Sequence, residues 1–259
     1  MQALTLSAAQ GWRWLADGFR IFRRGHVMLT FLVVSYWLLM AMVNLLPVIG
    51  TVLTTLCIPA FSVSLMNVCR NIDRSLPVTP QMLFSGFRSN QRSLLVLGAA
   101  YLAATVGILA ISAVADGGAL MAMMLLGTKP ADDVLASGDM LFAAQVALLF
   151  LCPLVMAYWY APVLVGWHSL PPAKALFFSF VACARNWRAF LVYSLALALV
   201  AVVLPALLLG VVGTLLQLGA SLVATGMTVL VLLVVAPTVF ASFYVSYRDV
   251  FVSTGDSDA

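Results

Sequence analysis

The chain has 259 residues, of which 64% are hydrophobic and 8% charged, and its mean hydropathy is +1.10. Soluble domains run at roughly 45–50% apolar and ~25% charged, so a water-soluble enzyme or binding domain is excluded. The 13 Lys+Arg outnumber the 9 acids, all of them aspartate, for a net charge of +4, and where these charges lie says more than their sum.

The opening stretch, "MQALTLSAAQGWRWLADGFRIFRRG", lacks the basic-then-apolar order and small-residue cleavage site of a signal peptide, so the first span is expected to act as its own insertion signal. A spanning helix needs about 20 mostly apolar residues. Six stretches qualify, roughly 27–47, 48–69, 93–114, 140–167, 189–210 and 214–246, with no charge in their apolar interiors. The first two read as a tight hairpin around "NLLPVIG" and the last two as another around "LLLGVVG"; a longer segment, about 115–139, joins the middle pair. Within it "ALMAMMLL" (119–126) is too short to cross and rich in flexible Met, which predicts a short interfacial helix, with Met121, Met123 and Met124 as a docking surface in the alternative. The last stretch exceeds a ~30 Å hydrocarbon core and should tilt or emerge on one side.

Arg13, Arg20, Arg23, Arg24, Arg70, Arg74, Arg88, Arg92, Lys174, Arg185, Arg188 and Arg248 all precede span 1, follow span 6, or lie between spans 2 and 3 or spans 4 and 5. Only Lys129 falls on the other side, with Asp116, Asp132, Asp133 and Asp139. Basic residues are retained on the cytoplasmic side, so both termini are expected to be cytoplasmic, 115–139 periplasmic, and a bacterial inner membrane the home of a multi-pass protein.

The approaches to the odd spans resemble one another: "WLADGFRIFRRGHVMLTF", "MLFSGFRSNQRSLLVL" and "ALFFSFVACARNWRAFL". With Phe19, Phe87 and Phe180 in register, His26, Leu94 and Trp187 share one offset, and "RSLPVTP" matches "HSLPPAK". Pro59 precedes Arg70 by the same eleven residues that separate Pro237 from Arg248. The expected architecture is a single all-α membrane domain over 1–259. It would be built of three repeats, about 11–74, 82–169 and 171–251, each an amphipathic helix followed by a helical hairpin. Repeats of this kind are common in membrane folds.

The third approach helix places Leu176, Phe180, Cys183, Trp187 and Phe190 on one face and Lys174, Arg185 and Arg188 opposite. That predicts a helix in the headgroup layer, basic residues on anionic lipid and aromatic rings at the boundary; the alternative is a plain extension of span 5. Arg70 and Arg248, with Asp73 and Asp249 beside them, are expected in the same layer. Lys174, Arg70, Arg185, Arg188 and Arg248 are therefore the candidate lipid-headgroup residues, and anionic phospholipid the expected partner.

The residues offer little to catalysis. Cys57, Cys69, Cys152 and Cys183 have no metal-like spacing and read as reduced. His26 and His168 stand at span boundaries, where polar caps are common, and the spans hold no acid to relay protons. No enzyme activity, metal or cofactor is expected; a membrane enzyme using His168 or Arg70 is the least favoured reading. Nucleic acid is excluded as a partner because every basic residue sits near a span end and no domain stands outside the lipid. Ser35, Asn44, Thr54, Asn67, Gln145 and Gln217 are expected to bond between helices, and Ala99/Ala103 and Ala100/Ala104 to let span 3 pack closely.

Pro59, Pro153, Pro162 and Pro237 fall in the even spans. Proline frees carbonyls in a helix, and broken helices build sites in transporters. Pro59, Tyr158, Trp159, Tyr160, Pro237 and Tyr244 are thus candidate lining for a lipid-chain or solute groove, with an interfacial aromatic belt as the alternative.

The repeated aromatic-basic approach helix, the paired spans and the closing "SFYVSYRDVF" resemble a family of bacterial six-span integral inner-membrane proteins. More distantly, the layout is similar to the membrane-anchor domains of glycerophosphodiester phosphodiesterases. The resemblance covers about residues 11–251, implies envelope or lipid association, and carries over no active-site residue. The resulting expectation is a non-enzymatic, lipid-associated scaffold or partner-binding subunit, with a membrane-protein partner or a second copy of itself. A channel or carrier for an apolar or amphiphilic solute is the alternative.

Overall fold

A computed structural model describes residues 2–46, 48–130, 132–216 and 219–252. The elements are β1 (Gln2–Ala3), α1 (Gln10–Val43), α2 (Ile49–Asp73), a 3-10 helix at Pro80–Arg88, α3 (Gln91–Asp116), α4 (Ala119–Leu126), α5 (Asp132–Ser137), α6 (Asp139–Trp159), α7 (Ala161–His168) and α8 (Pro172–Arg185). They continue with α9 (Trp187–Ala198), α10 (Leu204–Leu215), α11 (Ala220–Leu230), α12 (Ala236–Val250) and β2 (Phe251–Val252). Among the described residues six helical runs are long and apolar enough to cross a membrane: α1, α2, α3, α6 with α7, α9 with α10, and α11 with α12. The all-α, six-span reading holds. Half of the most apolar stretch of α2 is buried, against 6% for the fourth span, so α2 is the most enclosed crossing and the others turn large apolar side chains outward. Leu45, Val114, Leu149 and Leu215 are among those exposed.

The chain divides into two compact units, Met1–Trp37 with Ser64–Ser85 and Ala182–Ala259, and Leu38–Val63 with Gly86–Val181. In the first, the part of α1 before the break at Gly25 is docked tightly. Trp14 is fully buried, edge-on to Phe190 at 5.2 Å and to Tyr193 at 6.1 Å. Gly11 and Gly18, seven residues apart on one stripe, lie against α9 and α12. A Cβ on Gly11 would stand 2.1 Å from the Ala189 carbonyl oxygen, and one on Gly18 would stand 2.6 Å from Ser242 Cα. Beside them the Tyr193 and Ser242 hydroxyls share a 2.7 Å hydrogen bond. β1 pairs antiparallel with β2. The buried Asn186 carboxamide ties down the approach to α1, accepting from Leu6 N and donating to the Leu4 and Ala182 carbonyls.

In the second unit α3 meets α2 at Gly98, where a Cβ would come within 2.5 Å of the Leu56 carbonyl oxygen, and Leu94 and Leu97 beside it are buried. Ala99, Ala100 and Ala103 are exposed, so the close approach expected of the alanines is made by the glycine. The short Met-rich helix is α4, and it does not cross. Asp116 closes α3 and caps α4, accepting from Gly118 N at 2.9 Å and Leu120 N at 2.7 Å. Leu120 is buried with Leu109 and Ala143, Met121 and Met123 pack on that cluster, and Met124 is exposed.

Several expectations change. The fifth span runs on through "LLLGVVG" to Leu215, and Gly213 serves helix packing, its Cβ position 2.7 Å from Val223 Cγ2. The second approach segment is not one amphipathic helix: the 3-10 helix ends at Arg88 and Asn90, at φ 39°, separates it from α3. In the aligned register the breaks at Gly25 and Asn186 coincide, while Asn90 comes three residues early. Gln145 is exposed, whereas buried Thr54 donates to the Gly50 carbonyl and, across the first hairpin as expected, to Asn44 Oδ1 at 3.5 Å; Gln217 lies outside the described residues. The four cysteines are free thiols.

Candidate functional site

The face of α8 differs from its expected one. The buried stripe is Ala175, Ser179, Ala182 and Asn186, at helical spacing, with Cys183 beside it. Phe177, Phe178, Phe180 and Trp187 are exposed. Lipid is as apolar as a protein core, so small residues rather than large ones mark the side that packs. Lys174, Arg185 and Arg188 are exposed as well. The Arg188 guanidinium lies 5.5 Å over the Trp187 ring, and Arg185 Nε donates to Thr5 Oγ1 at 3.2 Å.

The proline breaks are closed by neighbouring side chains. Pro162 follows the break at Tyr160 between α6 and α7. There the Ser179 hydroxyl accepts from Tyr160 N at 2.9 Å and donates to the Met156 carbonyl at 2.8 Å. It occupies the place of the missing turn of helical hydrogen bonding. Before Pro205 and Pro237 the backbone widens into π turns, Leu199–Val203 and Val231–Val235. Pro237 has no N–H for the Leu233 carbonyl four residues back, and Thr30 Oγ1 donates to that carbonyl at 3.1 Å. Of the groove candidates, Pro59, Tyr158, Trp159 and Tyr160 belong to the second unit and Pro237 and Tyr244 to the first. Pro59, Tyr160, Pro237 and Tyr244 are buried. Tyr158 donates to the Leu97 carbonyl at 3.2 Å and stacks edge-on to Tyr101 at 4.9 Å, and Trp159 is half-buried.

The first unit assembles a charged cluster where α1, α2 and α12 converge. Arg248 Nη1 reaches Asp73 Oδ2 at 3.0 Å and its Nε reaches Asp249 Oδ1 at 3.3 Å. The Tyr244 hydroxyl also donates to Asp73 Oδ2, at 3.1 Å, and Gln10 Nε2 donates to Asp249 Oδ2 at 2.7 Å. Arg70, one turn before Asp73, is half-buried. A cleft of about 180 Å³ opens here, lined by Asp17, Arg20, Ile21, Arg24, Asp73 and Arg248. Arg20 pairs with Asp17 one turn before it, whereas Arg24 is exposed. Proximity of Arg248 to Asp249 is visible in sequence; its reach to Asp73, 175 residues away, and the alignment of Arg20 and Arg24 with it are not.

A protein of Burkholderia thailandensis described as a probable inner membrane protein is 39% identical to this chain over 261 residues, covering 97% of this chain and 94% of the relative. The chain belongs to that family. No family model and no solved structure matches it. Together with the six apolar helices, membership makes this an integral membrane protein. Nothing among the relatives supports the distant likeness to the anchor domains of glycerophosphodiester phosphodiesterases.

Proposed function

We propose that the protein is a non-enzymatic, lipid-associated scaffold of the bacterial inner membrane, with both termini cytoplasmic, whose basic span ends hold anionic phospholipid and whose apolar faces are available to a membrane partner or a second copy. The observation that carries this reading is the orientation of α8 and the first turn of α9: small residues inward, Phe177, Phe178 and Phe180 of α8 and Trp187 of α9 outward, with exposed Lys174, Arg185 and Arg188 among them. Such a surface suits the boundary between headgroups and chains. A carrier would draw on backbone groups released at proline breaks. In support of the scaffold reading, Ser179 and Thr30 occupy those groups at two of the breaks.

Native mass spectrometry tests it. Changing Lys174, Arg185 and Arg188 together to Gln should strip retained phosphatidylglycerol, each charge contributing about 1 kcal/mol at low salt, while the protein stays monodisperse. Unchanged retention in the inserted variant would leave these residues as topology signals alone.

A further inference from the structure

The cleft formed by α1, α2 and α12 has a chemistry distinct from α8. It is lined by three arginines and two aspartates. Both acids are engaged, Asp17 by Arg20 and Asp73 by Arg248. Arg248 is shared between Asp73 and Asp249, whereas Arg24 has no carboxylate within ion-pair distance among the described residues, so Arg24 is the unpaired cation of the lining. At about 180 Å³ the cleft is more than ten times the ~10–15 Å³ that a single water needs. Guanidinium groups match pairs of phosphate oxygens in plane and spacing.

We propose that this cleft binds a phosphodiester monoanion, the headgroup of an anionic phospholipid, with Arg24 supplying the decisive charge and Arg20 and Arg248 the flanking donors. One unpaired guanidinium favours a diester over the dianion of a phosphate monoester. What favours a lipid over a free phosphodiester is the apolar start of the part of α1 beyond the break at Gly25, where Val27 and Phe31 are 71% and 52% exposed. Acyl chains can lie on this apolar surface while the phosphate occupies the cleft. Asp73 and Asp249 hold Arg248 in place, and Tyr244 and Gln10 brace the two acids. The inference rests on the lipid-associated reading but uses different residues, so the two can fail separately.

The full-length protein is reconstituted in phosphatidylcholine nanodiscs containing a minor fraction of phosphatidylglycerol, and retained phosphatidylglycerol is counted by native mass spectrometry. Arg24→Gln should weaken retention of one lipid by about fivefold, the factor one basic residue contributes near an anionic surface. Arg24→Lys should restore part of it, keeping the charge but not the paired donors, and the Lys174, Arg185, Arg188 triple variant should keep that lipid. Deacylated glycerophosphoglycerol should compete far more weakly than the intact lipid, and phosphatidic acid should not exceed phosphatidylglycerol. Equal retention in Arg24→Gln and parent overturns the site even if the α8 variant loses lipid. Loss in Arg24→Gln with none in the α8 variant upholds the site and removes α8 from headgroup binding. Equal competition by glycerophosphoglycerol would overturn the lipid assignment, and stronger binding of phosphatidic acid would overturn the diester one.

Discussion

Replacing Gly18 with alanine inserts one methyl group where α1 lies on α12. Its Cβ would sit 2.6 Å from both the Cα and the N of Ser242, and ordinary contact begins at 3.4 Å, so the two backbones must part by about 0.8 Å. Those atoms are main chain and no rotamer change relieves the clash. The adjacent Tyr193–Ser242 hydrogen bond, 2.7 Å long, stretches with the separation. Overpacking in a core costs typically ~1–3 kcal/mol, and a backbone obstacle places Gly18→Ala toward the upper end. Gly107 in α3 and Gly210 in α10 are controls, with nothing within 4 Å of their Cβ positions. Alanine there should be neutral or stabilise by ~0.4–1 kcal/mol through the unfolded state. Thermal unfolding in detergent, read by the monodisperse fraction after heating, ranks the three. If Gly18→Ala melts with Gly107→Ala, α1 does not pack on α12 as described.

Ser179→Ala should destabilise the protein by ~1–3 kcal/mol, because the Tyr160 N–H and the Met156 carbonyl both lose their partner in a buried place; the same melting assay reads it, and a neutral result would mean the break is closed otherwise. Thr30→Val should lose about 0.6–1.7 kcal/mol, the range for a hydrogen bond between spanning helices. Pro237→Ala should shrink that loss by restoring a donor for the Leu233 carbonyl, and additivity in the double variant would separate Thr30 from the proline. Asp116→Ala should release α4, costing about 0.5–2 kcal/mol as for a lost helix cap, with faster amide exchange over 118–126.

Six spans were legible because a membrane crossing needs a long uncharged apolar run, and that is a property of each segment alone. The inward faces were harder to read. In α8 and the start of α9 the hydrophobic pattern points to Phe180 and Trp187, yet Ala175, Ser179 and Ala182 are buried, since lipid removes the contrast that marks a soluble helix's interior. Gly11 and Gly18 carry no pattern until their partners, Ala189 and Ser242, are known. The prolines were visible, but not the hydroxyls of Thr30 and Ser179 that answer them from distant parts of the chain. Asp73 sits next in sequence to Arg74 and pairs with Arg248, a choice made by the convergence of α2 and α12. The seven-residue spacing of Asp17 and Arg24, with Arg20 between, could have suggested one face of α1; nothing local says that Arg248 completes it.

The most direct test is a structure of the protein in nanodiscs of native inner-membrane lipid. Phosphate-sized density touching Arg24 and Arg248, lipid chains along Phe177, Phe178 and Trp187, and Thr30 still bonded to the Leu233 carbonyl are the predicted result. An ordered non-lipid solute bonded to the Leu233 or Met156 carbonyl, with Thr30 or Ser179 displaced, would contradict the scaffold account and identify a carrier.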